Sequence, residues 1–455
     1  MDLATRLYFR APAWVQSALL STYGLVLRRR RYGGEHREFL RQLLETQWWS
    51  GDRIEELQLD LLNRQLAAAA RVRLYRGKGL PARIDDMIQL SSMPLLEKDE
   101  LRRPRNELIG ATVSPRDLVE IHTGGTTGKP LSVYCTPAVL QKNYAFFERF
   151  KRWAGIGFRD RTATFAGRTI VPPGQQDPPF WRYNYTSRTL LLSSYHISER
   201  TLPVYVEALR RFRPALIDSY PSSIEPIAQQ VLREGQSALR PRAVITSSET
   251  LYPRVRASVE KALGCSVYDH YGAAEMAALI TQCEHGQYHV NPEFGVVELL
   301  RDGRQVGPGQ SGEIVATGFI NDVMPLLRYR TGDWAVLGSE ECPCGRSFPV
   351  VERLEGREDD VLITPDGRRI GRLDPIFKSV KSFYETRICQ TAADHVRVEV
   401  VPARDYEATD EDVLRTELSR RLGPNMEIEL VQVKSIPRTR SGKFRAVVNE
   451  IGSSS

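Results

Sequence analysis

From about residue 110 onward, short apolar runs alternate with helical stretches and glycine-rich turns, and this alternation is what most limits the fold. The runs include "ALIDSY", "AVITSS", "CSVYDHYG", "FGVVELL", "GEIVATGF" and "DWAVLG". Their spacing predicts α/β layering. The segment "GVVELLRDGRQVGPGQSGEIVATG" adds an antiparallel hairpin. Upstream, residues 35–75 place Leu, Ile and aromatic side chains at helical spacing among charges, which predicts helices. A chain of 455 residues is too long for one core, so two or three domains are expected. A boundary falls near the charged, glycine-containing "RLEGREDDVLITPDG". Beyond it, the order "VRVEVVP", "DEDVLRTELSRRL", "EIELVQV" reads strand, helix, strand. The expected fold class is a large α/β N-terminal domain, layered sheets with helices, plus a small α+β C-terminal domain. Residues 1–100 form the helical part of the large domain, 101–357 its core, and 358–455 a small mobile domain.

The formal net charge is +7, which suits an anionic small-molecule substrate as well as nucleic acid or a membrane face. No aromatic-rich RNA-binding signature and no helix-turn-helix pattern is present, so nucleic acid is not an expected partner. The N-terminal stretch "MDLATRLYFRAPAWVQSALLSTYGLVLRRRRYGG" lacks the form of a signal peptide. Its apolar run, Ala11 to Leu27, carries Gln16, Ser17, Ser21 and Thr22 and is too short and polar to span a bilayer. The preferred reading is an amphipathic helix packed on the body of the protein. The alternative is an interfacial helix followed by the Arg28–Arg31 cluster, giving weak peripheral membrane contact. The six cysteines do not form a disulfide frame in the cytoplasmic protein expected here.

Five short motifs carry the chemistry. "IHTGGTTGKP" packs three glycines, three threonines and one lysine behind an apolar segment. Glycines let backbone amides approach a ligand, and clustered N–H and hydroxyl donors suit phosphate oxygens. It is not a Walker A loop, because three residues separate Gly124 from Gly128 and Pro130 follows Lys129. "YGAAE" (271–275), "RYRTGD" (328–333), "GREDD" (356–360) and "PRTRSGKFR" (437–445) follow in order. Taken singly, each of these residues reads as an ordinary turn, surface or core position.

In this order the motifs resemble those of the adenylate-forming superfamily, which holds acyl-CoA ligases, adenylation domains and luciferases. Within it the chain is similar to the phenylacetate–CoA ligase-like group, some members of which are encoded with capsular polysaccharide genes. The resemblance implies ATP-dependent activation of a carboxylic acid through an acyl-adenylate, with Mg²⁺. Thr123, Gly124, Gly125, Thr126, Thr127, Gly128 and Lys129 would then hold the β/γ-phosphates. Tyr271 and Gly272 would meet adenine, with Ser248, Glu249 and Thr250 of "TSSET" nearby. Glu275 would hold Mg²⁺, a hard cation that takes carboxylate oxygens. Asp333 would accept from the ribose hydroxyls and Arg357 would contact ribose. Asp359 matches the hinge position, and Lys443 the terminal catalytic lysine. The acceptor of the second step stays open between coenzyme A and an amine. A non-catalytic nucleotide-binding relative is the alternative class. The acid and the oligomeric state are not legible.

A second constellation joins "CEHGQYH" to "CPCG". Thiolates with an imidazole in a four-ligand set suit a structural Zn²⁺. Cys283, His289, Cys342 and Cys344 are the preferred ligands, with His285 as the competing histidine. A third stretch, Phe165 to Asn184, is rich in proline and aromatics and carries Arg168 and Arg182. It reads equally as part of the acid pocket or as a surface loop. Tyr195, His196 and Tyr220 are weaker pocket candidates.

Overall fold

The computed structural model describes residues 3–451 except 111–112, 115–116, 123–130, 167–168, 173, 236–238, 340, 358–361, 366–368, 371–382, 404–405, 424 and 440–443. Its centre is a mixed 13-stranded sheet. One half is parallel: the strands Thr162–Ala166, Thr189–Ser193, Leu216–Ser219, Ala243–Ser247 and Ser266–Gly272 run together. The helices Leu202–Phe212, Pro221–Arg233 and Pro253–Leu263 form their crossovers, each opened by a proline in its first turn. Fixed φ and a missing N–H cost nothing there, because that N–H has no partner inside the helix. Ile217, Ile224, Val244 and Val259 are among the fully buried side chains between this half-sheet and its helices.

The other half is antiparallel. Ser266–Gly272 is parallel to its neighbour on one side and antiparallel to Leu279–Gln282 on the other, so the sheet changes character at that strand. The expected hairpin is present: Gly295–Arg301 turns at Asp302 and Gly303 and pairs with both Arg304–Gln305 and Ser311–Gly318. The helices expected over residues 35–75 are Gly34–Thr46 and Gly51–Ala69, followed by a single 3₁₀ turn at Arg73–Tyr75.

One buried ion pair ties the helical layer to the sheet. Arg149, on the helix Pro137–Trp153, has no exposed surface and donates to Glu293 at 2.7 and 3.0 Å and to Asn291 Oδ1 at 2.7 Å. Thr46 Oγ1 donates to the same carboxylate at 2.7 Å. Arg149→Met leaves Glu293 charged and buried without its cation. The expected cost is about 3–5 kcal/mol in denaturant unfolding, with partial recovery when Glu293→Gln is added.

The C-terminal segment builds its own four-stranded sheet with its own core. Phe383–Ala392 pairs with His395–Pro402, flanked by Glu427–Gln432 and Val447–Asn449. The helix Ala408–Leu422 covers it through Leu414 and Leu418. This is the α/β body and the smaller α+β unit that the sequence pattern predicts.

Candidate active site

A cavity of about 1170 Å³ opens at the carboxyl end of Ser266–Gly272, where the sheet changes from parallel to antiparallel pairing. Tyr271 reaches the cavity from this strand, and its hydroxyl donates to Asp333 Oδ2 at 2.8 Å. Burial, with the Asp333 charge beside it, keeps that hydroxyl protonated far above neutral pH.

Asp333 owes its place to a bulge. Trp334 pairs with Glu313 and Arg330 with Val315, so Thr331, Gly332 and Asp333 together face Ile314. Gly332 takes φ +74°, a value that favours glycine. Thr331 Oγ1 donates to Ile314 O at 2.9 Å and accepts from Asp333 N at 3.1 Å, which fixes the bulge. Arg357 is the strand partner of Asp333 in register; its side chain lies outside the described residues.

Glu275 follows a turn after Gly272, is buried, and accepts from Tyr329 Oη at 3.1 Å. It lines the cavity, and a carboxylate there has the donor chemistry that Mg²⁺ requires. Ser248 takes φ +69°, a left-handed value uncommon for a residue with a Cβ. The next residue, Glu249, lies at the N-terminus of the helix Pro221–Arg233. There it accepts from Ser222 N at 3.0 Å and Ser222 Oγ at 2.9 Å. A helix N-terminus favours an anion. Burial nevertheless pushes the Glu249 carboxyl up, against the opposing pull of its hydrogen bonds.

Glu249 also holds the small domain. Its Oε1 accepts from the backbone N of Phe444 at 2.6 Å. Arg438 stacks over the Phe444 ring at 4.6 Å and pairs with Glu385 of the four-stranded sheet. Phe444, Arg445 and Ala446 therefore line the same cavity as Tyr271, Glu275 and Asp333. Lys443 directly precedes Phe444 and lies outside the described residues, as do Asp359 and the whole of Thr123–Lys129. The strands flanking that glycine-rich loop are described. Val119–His122 and Ser132–Cys135 pair antiparallel with His122 opposite Ser132, and Ile121 reaches the cavity. Thr250 and Gly272 line it too.

Sequence reasoning missed several residues here. Tyr329 and Ser222 act through hydrogen bonds to carboxylates, and only the helix-start pattern Pro221–Ser222 hints at the second. His270 lies between Phe147 and Phe150, with ring centroids 5.2 and 5.3 Å away, and burial drives it down to about 4. It is therefore a neutral wall of the cavity at neutral pH, beside the apolar Leu140, Phe147 and Phe294.

The described residues of the Pro-rich stretch do not line this cavity. Arg182 donates to Gln16 Oε1 at 2.5 Å, Pro179 O at 2.8 Å and Trp181 O at 2.6 Å, so its cation serves the far edge of the sheet. His196 is held between Ser193 Oγ at 2.7 Å and Pro172 O at 3.1 Å. Tyr195 is more than a third exposed, and Tyr220 caps the helix that presents Ser222. Arg168 lies outside the described residues.

The structure brings Cys283, His289, Cys342 and Cys344 together, with one ligand atom from each inside 4.8 Å of all the others. Cys283 Sγ and Cys342 Sγ are 3.7 Å apart, and Cys344 Sγ is 3.4 Å from His289 Nε2. A tetrahedron with ordinary Zn–S bonds has edges of about 3.8 Å, so the spacing fits a metal of that size. His289 Nδ1 faces Phe348 O at 3.2 Å; donating there, it leaves Nε2 as the ligand atom. His285 is exposed, and it is its backbone N that meets Cys283 Sγ, at 3.4 Å. The cluster ties the end of Leu279–Gln282 to the loop that follows Tyr329–Leu337, the strand carrying Asp333.

Comparison with known proteins agrees with this architecture. The family model described as the CapK C-terminal domain matches residues 362–450. The protein CapK of Staphylococcus aureus is 27% identical over 98% of this chain and 99% of its own length. The phenylacetate-coenzyme A ligase of Thermus thermophilus is 27% identical over 69% of this chain and 72% of its own. Among solved structures, 2-hydroxyisobutyryl-CoA ligase in its postadenylation state superposes with a TM-score of 0.70. That match has 20% identity and covers 89% of this chain and 91% of the ligase. The same ligase in its thioesterification state, over the same shares of both chains at 21% identity, gives 0.55. The chain is thus homologous to CapK over its whole length and to the phenylacetate-coenzyme A ligases over about two thirds of it, and it shares the fold of a solved acyl-CoA ligase, as expected of a chain whose motifs resemble the adenylate-forming superfamily.

Proposed function

We propose that the chain is an AMP-forming ligase that activates a carboxylic acid as its acyl-adenylate. A carboxylate oxygen attacks the α-phosphorus of ATP, the bond from that phosphorus to the bridging oxygen breaks, and pyrophosphate leaves. The activated carbonyl then passes to a nucleophile with release of AMP. The observation that carries this reading is the convergence of Tyr271–Asp333, Glu275 and the Glu249–Phe444 contact on one cavity. It brings the residue next to Lys443 to the place where a nucleotide would lie. Such catalysis is mainly positioning and charge neutralisation, for which Lys443 and the Thr123–Lys129 loop supply cations and amides. Glu275 would hold Mg²⁺, which neutralises phosphate charge when bound. The four-residue cysteine–histidine cluster would hold a structural Zn²⁺.

Coenzyme A is the acceptor favoured by the relatives named as phenylacetate-coenzyme A ligases. An amine acceptor, as in polysaccharide modification, is the second reading. Acid-dependent ATP–pyrophosphate exchange, with hydroxylamine trapping across an acid panel, tests the first half-reaction without an acceptor. Tight ATP binding with no exchange for any acid would instead mark a non-catalytic nucleotide-binding protein. Asp333→Asn is expected to raise the KM for ATP about ten- to hundredfold, the worth of hydrogen bonds to a charged acceptor. Tyr271→Phe, which removes only the bond that orients Asp333, is expected to do less.

A further inference from the structure

The helix Ala13–Arg31 packs on the body with its polar side inward. It runs along Trp181–Asn184, the edge strand of the large sheet. Ser17 Oγ accepts from Tyr183 N at 3.2 Å and Ser21 Oγ accepts from Tyr185 N at 3.0 Å. Gln16 Oε1 accepts from Arg182 Nε, and Thr186 Oγ1 donates to Ser21 O at 2.7 Å. Gly24 lets the helix close on Asn184, where an added Cβ would come within 2.7 Å of Nδ2. Gln16 and Gly24 are the buried residues of this helix, and neither is apolar in side chain.

The apolar side is consequently turned to solvent. Trp14 is 75% exposed, Leu19 50%, Tyr23 57%, Leu25 54% and Val26 58%. No charged residue interrupts Ala13–Leu27, and then Arg28, Arg29, Arg30 and Arg31 follow in a row. A helix on a globular body ordinarily buries its apolar stripe, so an inverted one is an unpartnered surface. The patch continues into a groove of about 700 Å³ between Trp14, Trp181, Tyr183, Tyr185 and Phe212, with Arg161 stacked over Phe212 at 5.7 Å. Leu7, Arg6 and Arg10 of the preceding helix, Leu3–Arg10, are exposed as well.

We infer that this face docks on an anionic lipid bilayer. Aliphatic side chains with Trp and Tyr among them suit the boundary between headgroups and acyl chains. The exposed Arg28, Arg29 and Arg30 at the end of the helix match a negatively charged surface, while Arg31 lies over the Tyr144 ring at 4.7 Å. No described helix is long and apolar enough to cross a membrane, so the helix lies on the surface. A second copy of the same face would bring further arginines to the contact, which argues against self-association there.

The test uses the full chain and vesicles, and does not depend on the proposed enzymatic activity. Co-sedimentation is expected with phosphatidylcholine vesicles containing one-third phosphatidylglycerol, and not with phosphatidylcholine alone. Raising salt from about 0.1 M to about 0.5 M weakens it by screening. Replacing Trp14, Leu19 and Val26 by Ser is expected to weaken binding at least about tenfold with an unchanged unfolding transition, since all three are exposed. Arg28→Gln with Arg29→Gln and Arg30→Gln should weaken binding and flatten its salt dependence, which keeps the test informative if the first variant misfolds. No binding to anionic vesicles, or equal binding by both variants, overturns the inference. So does a wild-type dimer that the serine variant converts to monomer, which would assign the face to a second copy.

Discussion

Lys443→Ala is expected to lower acid-dependent ATP–pyrophosphate exchange by about 10²–10³-fold, the usual loss when one donor to developing charge is removed. Transfer from a supplied acyl-adenylate to the acceptor should survive in the same variant. The asymmetry follows from the docking contact. Glu249 accepts from the backbone N of Phe444, so the small domain is held against the cavity at the position adjacent to the lysine. The charge of Lys443 would serve the step in which the carboxylate meets the α-phosphate. Once AMP is the leaving group, no carboxylate attacks the α-phosphate, so the second step should not need this charge. Equal loss of both half-reactions would show that Lys443 does more than serve adenylation, or that its loss disturbs the domain as a whole. Single-turnover measurements of each half-reaction separate these outcomes.

Cys342→Ser is expected to reduce bound zinc from about one per chain to near none, measured by elemental analysis of the purified protein. Structural zinc sites supply roughly 10–16 kcal/mol in small peptides, and losing one of four ligands forfeits several kcal/mol of that. The thermal transition should therefore fall by several degrees, and chelation of the wild type should reproduce the shift. The KM for ATP should rise with it, because the cluster anchors the loop after the strand that carries Asp333. Wild-type protein purified without metal, and unchanged by added Zn²⁺, would end the zinc reading.

Much of the fold was legible because its signals are local. The parallel strands are short apolar runs between turns, and the crossover helices open with proline. The strand Phe383–Ala392 was not anticipated, since charges interrupt its pattern. Its Arg387 is satisfied by Glu399 directly across the sheet, a pairing no single segment reveals. The cysteine–histidine cluster was readable from residue type, and it includes the buried His289 and not the exposed His285. Arg182 could be read either way from sequence, because only the structure shows that Gln16 and two carbonyls engage its cation. The bulge that presents Asp333 was visible only as a Gly-Asp pair, because bulging is decided by the partner strand. The N-terminal helix was placed on the body correctly. Periodicity could not say which side faced inward, since the serines that turn it find their donors some 160 residues away.

That last arrangement bears on how the protein can be shortened. An uncovered edge strand offers a row of unpaired amides to other chains, and proteins commonly protect such edges. Here the protection comes from serine hydroxyls on a helix near the N-terminus. Removing the first 31 residues would strip the apolar face and expose Trp181–Asn184 in one cut. Aggregation of such a truncated protein would report the bared edge, and only substitutions on the outward side can isolate what that side touches.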